Sequence, residues 1–280
     1  MLGLSVLTAG TLAAGATGTL AWFTTNKTAT ATYSNITAAS TTGNLKASIA
    51  GVTDKEAKSA AYDYNATATG KTNSKTADVS SQDGLTFGQP EWVDIASNDN
   101  ATKINGVKEV LGKDGYFTQY MVSLQNVPTE QGENAAIKVS LTGVTIEGGT
   151  ELASWTRVAI NTSVSTNGEG NALVASETGN NATYLYQNAA IATENKYTPI
   201  SSAKTMQEAT KTIDASKVTL AAAKDTLDTP IVLKNDLGST GNATVTIGVS
   251  VWMEGTMGAQ DTAKGQSISV KLTFKGEENK

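Results

Sequence analysis

The sequence predicts an all-β protein, an antiparallel jelly-roll-like β-sandwich with a few short helices and an N-terminal hydrophobic leader helix. Two segments and one absence lead to that class. Val245, Ile247, Val249, Val251 and Met253 alternate with Thr244, Thr246, Gly248, Ser250 and Trp252, a sustained period of two. Ile268, Val270, Leu272 and Phe274 repeat the pattern against Ser269, Lys271 and Thr273. No strand pattern is regularly followed by a long helical one, so a parallel α/β sheet is not expected and an antiparallel sandwich is.

The chain opens on a stretch without charge, Met1 to Phe23, in which Leu2, Leu4, Val6, Leu7, Leu12, Leu20, Trp22 and Phe23 are spaced by Ala, Gly and Thr. It approaches the length of a membrane span, but Gly and Thr interrupt it throughout, and a secretory signal peptide fits better. Thr19-Leu20-Ala21 places small residues where a signal peptidase reads them, so the cut is expected between Ala21 and Trp22; Ala14-Gly15-Ala16 offers a second site. Met1-Leu2-Gly3 lacks the basic opening of a signal peptide. The alternative is a helix retained in the mature chain, as in type IV pilins.

Next comes a β-branched stretch, Thr24 to Ile36, with Lys27 as its one charge, followed by a polar segment, Thr37 to Asn44, read as a flexible linker. Asp54 to Gln82 is polar and reads as a surface excursion. Leu85 to Ile95 returns to strand character, with Pro90 restricting it to an edge or a bend. Ile104, Val107, Val110 and Leu111 recur at helical spacing before Gly112, which predicts a short helix over Lys103–Leu111. Tyr116, Tyr120, Val122 and Leu124 predict one side of a strand. Ile137, Val139 and Leu141 alternate, and Val144 and Ile146 continue one residue out of phase, which predicts a β-bulge at Gly143. Trp155, Val158 and Ile160 suggest a further strand; Asn167 to Asn181 reads as a loop; Tyr184–Ile191, Val218–Leu220 and Pro230–Lys234 read as short strands, and Met206–Ile213 as one or two helical turns. Gly255 to Gly265 is expected to join the last two strands as a hairpin.

Composition limits the chemistry. The 280 residues carry a formal charge of −5, with no basic stripe to neutralise phosphates, so nucleic acid is not an expected partner. There is no cysteine and no histidine. A disulfide framework, a thiol nucleophile, a Ser-His-Asp triad and the usual zinc ligands are all excluded. No catalytic constellation is visible, and the chain is expected not to be an enzyme. No cofactor is expected either. Calcium is the one metal left open, at Ser97-Asn98-Asp99-Asn100 or Asp225 to Asp228, where a polar turn accounts for the residues equally well. Seven Asn-x-Ser/Thr sequons, at Asn26, Asn35, Asn65, Asn100, Asn161, Asn181 and Asn242, decide nothing in a chain so rich in these residues.

Two segments carry a resemblance. Gly18-Thr19-Leu20-Ala21-Trp22-Phe23-Thr24 resembles the signal-peptide end and mature start of TasA/camelysin proteins, a family of secreted filament-forming matrix proteins related to archaeal bundling pilins. Val249-Ser250-Val251-Trp252-Met253-Glu254-Gly255, followed by Ser267 to Phe274, resembles that family's closing hairpin. The resemblance implies a jelly roll that polymerises by donating an N-terminal strand to the next subunit. The metalloprotease activity attributed to some camelysins does not carry over to a chain without histidine.

The sequence therefore divides into 1–21, a signal peptide or hydrophobic helix; 22–44, an extended donor strand and linker; and 45–280, a β-sandwich domain. The expected function is a structural subunit of an extracellular filament, pilus or biofilm matrix fibre, secreted to the cell surface. It would assemble head to tail with copies of itself and meet the membrane only through its leader. Backbone pairing along a donated strand would supply affinity, with Trp22, Phe23, Thr28, Thr30, Thr32, Tyr33 and Ile36 as the self-assembly residues. The competing readings are a monomeric adhesin or carbohydrate-binding sandwich, and a pilin-like subunit held by a retained N-terminal helix.

Overall fold

The computed structural model describes residues 29–31, 36–40, 45–52, 67–68, 74–76, 79–92, 104–111, 116–128, 135–148, 152–153, 156–167, 172–176, 179, 181–188, 218–240, 243–253 and 268–278. Among these the fold is all-β, with a helical turn only at 152–153. In chain order the strands are β1 (Ala29–Ala31), β2 (Ile36–Ser40), β3 (Leu45–Gly51), β4 (Thr67–Ala68), β5 (Ser74–Thr76), β6 (Phe87–Trp92), β7 (Ile104–Val110), β8 (Thr118–Asn126), β9 (Ile137–Gly148), β10 (Thr156–Asn161), β11 (Val164–Thr166), β12 (Leu173–Ala175), β13 (Thr183–Asn188), β14 (Val218–Ala223), β15 (Ile231–Leu237), β16 (Thr244–Met253) and β17 (Ile268–Glu278).

Two sheets carry the architecture. One has six strands in the order β14-β13-β10-β16-β8-β3, the other five in the order β15-β9-β17-β2-β4. Three two-stranded ribbons, β1-β5, β6-β7 and β11-β12, accompany them. The alternating residues of the longest strands meet between the sheets. Tyr120, Val122 and Leu124 of β8 and Ile247, Val249, Val251 and Met253 of β16 face Val139, Leu141, Val144 and Ile146 of β9 and Val270, Leu272 and Phe274 of β17 in one buried cluster. Each large side chain in it contributes about 1.5–3 kcal/mol of burial.

The phase shift in β9 is a bulge, as the alternation predicted. Thr273 stands opposite Gly143 and Phe274 opposite Leu141, which leaves Thr142 as the extra residue. The segment after β14 crosses at this point: Val144 N donates to Lys224 O at 2.9 Å and Leu227 N to Thr142 O at 2.7 Å. A Cβ at Gly143 would overlap the Asp225 backbone oxygen, so this glycine is required by close approach of a second backbone.

A further layer lies on the other face of the six-stranded sheet. Phe87 stacks on Phe117 with centroids 3.7 Å apart and meets Trp252 edge-on at 5.5 Å. Val79, Val110, Ala159 and Leu185 complete this second cluster, and Tyr116 packs against it. Tyr116 thus leaves the set with which its spacing grouped it. Trp252, on the nominally polar side of β16, is 1% exposed because its sheet is covered on both faces.

Four expectations are corrected. Ile104–Val110 is not a helix but β7, paired antiparallel with β6, with Val110 opposite Phe87 and Val107 opposite Pro90. Apolar residues at 104, 107 and 110 fit a helical period, and the partner strand decides the outcome. The last two strands do not form a hairpin: β16 pairs with β8 and β10, and β17 with β9 and β2, so the chain changes sheets between Met253 and Ile268. The sheets are not wholly antiparallel, since β13-β14 and β17-β2 are parallel pairs. The segment read as a linker from Thr37 begins as strand, Ile36–Ser40 lying beside β17. The leader 1–21, the expected turns at Met206–Ile213, and Gly255–Gly265 lie outside the described residues.

Candidate functional site

The expected self-assembly residues fall in two groups. Trp22, Phe23, Thr28, Thr32 and Tyr33 lie outside the described residues. Thr30 lies in β1 opposite Lys75, and Ile36 opens β2 opposite Leu272 on one side and Ala68 on the other. At these positions the backbone is already paired within its own chain. A stretch with both edges free was the expectation, but an extended β-branched segment pairs with whatever edge adjoins it, and β17 offers one.

The pairing capacity of the fold lies at its sheet edges, and the four edges differ. β15 carries Lys234, Asn235 and Asp236, and its register against β9 shifts twice. β4 has two residues. β3 carries Lys46. β14, Val-Thr-Leu-Ala-Ala-Ala, has no charge and no proline, and keeps one register with β13 throughout. Charges, bulges and short length protect an edge from added strands; β14 has none of these protections.

Beside β14 the space between the sheets opens to solvent. A cleft of about 650 Å³ is lined by Tyr184 and Tyr186 of β13, Ala221 and Ala222 of β14, Lys224, residues 227–230, and Ile231 and Val232 of β15. Tyr186, Leu227 and Ile231 belong to the inter-sheet cluster, so the floor is the hydrophobic core itself. Val232, at 48% exposed, stands at the rim as one of the most exposed large apolar side chains described. Burial pushes the Tyr186 hydroxyl above its usual range, with Tyr184 adding to the effect, so its phenol is neutral. The rim charges are Lys224 and Asp228, which pair with each other. No spacing in the sequence marks this cleft, because its residues come from three strands and are individually ordinary.

A polar latch lies across the outer face of the six-stranded sheet. Asp83 accepts from Leu85 N and Thr86 N, each at 2.8 Å, and from Ser81 Oγ at 3.2 Å. The Asp83 carbonyl accepts from Asn161 Nδ2 of β10 at 2.9 Å. The Gly84 carbonyl accepts from Gln119 Nε2 of β8 at 2.7 Å and from Ser250 Oγ of β16. Two successive peptide carbonyls therefore bind three adjacent strands. Asn161 is fully buried here and accepts from Thr183 Oγ1 at 2.7 Å, so its sequon is inaccessible in the folded chain.

Asp83 supplies a pH test. Burial raises its pKa above the ordinary carboxylate value, against the lowering effect of its hydrogen bonds from Thr86, Leu85 and Ser81. The unfolded chain therefore ionises first as pH rises. Stability contributed by the protonated group is present below the ordinary value and is lost as pH climbs through the folded one. Asp83→Asn keeps an acceptor for both amides and does not titrate. The urea midpoint of the variant minus that of the parent is expected to grow between pH 4 and pH 7. A difference that shrinks over that interval would reverse the assigned sign.

Among the described residues no three Asp or Glu side chains gather as a metal site. Of the two segments left open for calcium, Ser97–Asn100 lies outside the described residues, and Asp228 in the other pairs with Lys224. No protein-family model matches this chain, and neither does any curated protein or solved structure compared with it.

Proposed function

We infer that the chain is a non-catalytic structural subunit of an extracellular filament, secreted by a leader removed before Trp22, with copies joined head to tail through the segment Trp22–Ile36. In this reading the two-sheet body is a jelly roll, and the assembly residues are those at its N-terminal margin. The observation that carries it is how the N-terminal part is held. β1 sits in a two-stranded ribbon with β5, and β2 lies between β17 and the two-residue β4. The described residues from Leu45 onward include a core between the two sheets. A strand held in that way is suited to contact a neighbour, and a heterologous contact that does not close on itself propagates into a fibre.

Electron microscopy of two purified chains tests the reading. The chain beginning at Trp22 is expected to form filaments, and the chain beginning at Thr37, which lacks the whole segment, is expected to remain monomeric by light scattering. Filaments of normal width from the shorter chain would reject assembly through this segment.

A further inference from the structure

The cleft beside β14 is made by small side chains. On the inward face of the six-stranded sheet, β10 and β16 present Val158, Ile160, Val249 and Val251 to the core, and β13 presents Tyr184 and Tyr186. The terminal strand then presents only Ala221 and Ala223, with Ala221 paired to Tyr186. Across the gap, β15 contributes Ile231 and Leu233 to the same packing. Branched side chains at 221 and 223 would close the space between β14 and β15, and alanine leaves it open. The resulting volume of about 650 Å³ lies within the range of about 300–1,000 Å³ usual for small-molecule sites. An unfilled apolar space forgoes the burial and dispersion that a larger residue would supply, a cost retained where function uses the space.

The solvent-accessible part of the lining is of two kinds. Tyr184, Ala221 and Ala222 are half-buried, and Pro230 and Val232 are exposed, so an aromatic and aliphatic surface is open to a ligand. Lys224, Asp228 and Thr229 are exposed beside it. Lys224 and Asp228 bond each other through one ammonium donor and one carboxylate oxygen, which cancels their charge and leaves the pair further donors and a further acceptor.

We propose that this cleft binds a neutral saccharide of two or three residues, its ring C–H face on Tyr184 and its hydroxyls bonded to Thr229 and the Lys224–Asp228 pair. A sugar ring has an apolar face and a rim of hydroxyls that both donate and accept, and the lining supplies a counterpart to each. Lys224 is the one cation in the lining and Asp228 already meets it, so a carboxylated sugar gains no partner there. An acyl chain could pack on Tyr184 and Val232, but it would strip water from the ion pair without replacing its bonds. The site does not depend on assembly through Trp22–Ile36.

Equilibrium dialysis of the full mature chain tests the proposal and reads monomer and filament alike. The probes are cellotriose, maltotriose, mannotriose and chitotriose, with trigalacturonate as the acidic comparator. At least one of the neutral trisaccharides is expected to bind with a Kd below about 1 mM, and about tenfold more tightly than trigalacturonate. Ala221→Leu, which fills the cleft from its own wall, is expected to weaken that binding by about tenfold or more without lowering the urea midpoint. Tyr184→Leu keeps apolar bulk against the core but removes the ring, with the same expected loss of binding, and it decides the matter if leucine at 221 distorts β14. Absence of binding by every neutral trisaccharide would overturn the proposal. So would equal binding of trigalacturonate, or binding that both variants leave unchanged. The filament reading is judged by microscopy and stands or falls separately.

Discussion

Phe274→Ala is expected to lower the unfolding free energy by about 3–5 kcal/mol, a large share of the stability of any single domain. Phe274 is fully buried at the centre of β17, with Leu141 of β9 opposite it on one side and Ala38 of β2 on the other. Truncation removes the ring's transfer free energy and leaves a cavity between two sheets that cannot close on it, because β9 and β17 are tied together along eleven paired positions. The neighbouring substitution supplies the comparison. Lys275 bonds Glu277 at 2.6 Å, but both side chains are about two-fifths exposed, and a surface pair of this kind contributes at most about 1 kcal/mol. Urea denaturation of Phe274→Ala and Lys275→Ala should differ several-fold in effect. Equal losses would mean that the two faces of β17 are not the buried and solvated faces assigned to them.

That contrast between adjacent residues is what made part of the fold legible in the sequence. Period two along Thr244–Met253 and Ile268–Phe274 reports two strands, and both are where the alternation puts them, although β16 is buried on both faces from Ile247 to Met253 because a second layer covers its sheet. The bulge was legible for the same reason, since inserting one residue inverts every later side chain, and Val144 and Ile146 record the inversion. Periodicity identifies a strand without naming its partner. β16 and β17 follow each other in sequence and alternate alike, yet they lie in opposite sheets. For β7, three apolar residues at spacing three suited a helix, and the ribbon with β6 overrode that local preference. The cleft beside β14 was not legible at all. The lack of charge in β14 has meaning only once β14 is known to be an edge, and Tyr186, Leu227 and Ile231 become a floor only when the two sheets are packed.

The latch at Gly84 shows a constraint of the opposite kind, one that no pattern carries and two independent terms enforce. Gly84 has φ = +68°, a conformation that costs a residue with a Cβ about 1 kcal/mol or more. A Cβ there would also overlap the Cβ of Ala159 and approach that of Ser250 at 3.1 Å, on strands fixed in the middle of the sheet. Overpacking of this sort costs about 1–3 kcal/mol, so Gly84→Ala is expected to destabilise by about 2–4 kcal/mol. Part of that loss comes from the Gly84 carbonyl, which must move away from Gln119 and Ser250 when the loop lifts. The two terms separate in a double-mutant cycle. Ala159→Gly removes the obstructing Cβ and leaves the positive φ untouched, so the double variant should be about 1–2 kcal/mol more stable than the sum of the single effects. Perfect additivity would place the whole penalty in the backbone conformation. In that case Gly84→Asn, whose side chain tolerates positive φ, should recover stability that the double variant does not. If the overlap dominates, Asn recovers little, because its Cβ meets Ala159 as alanine's does, and close contact with the sheet is then what requires glycine.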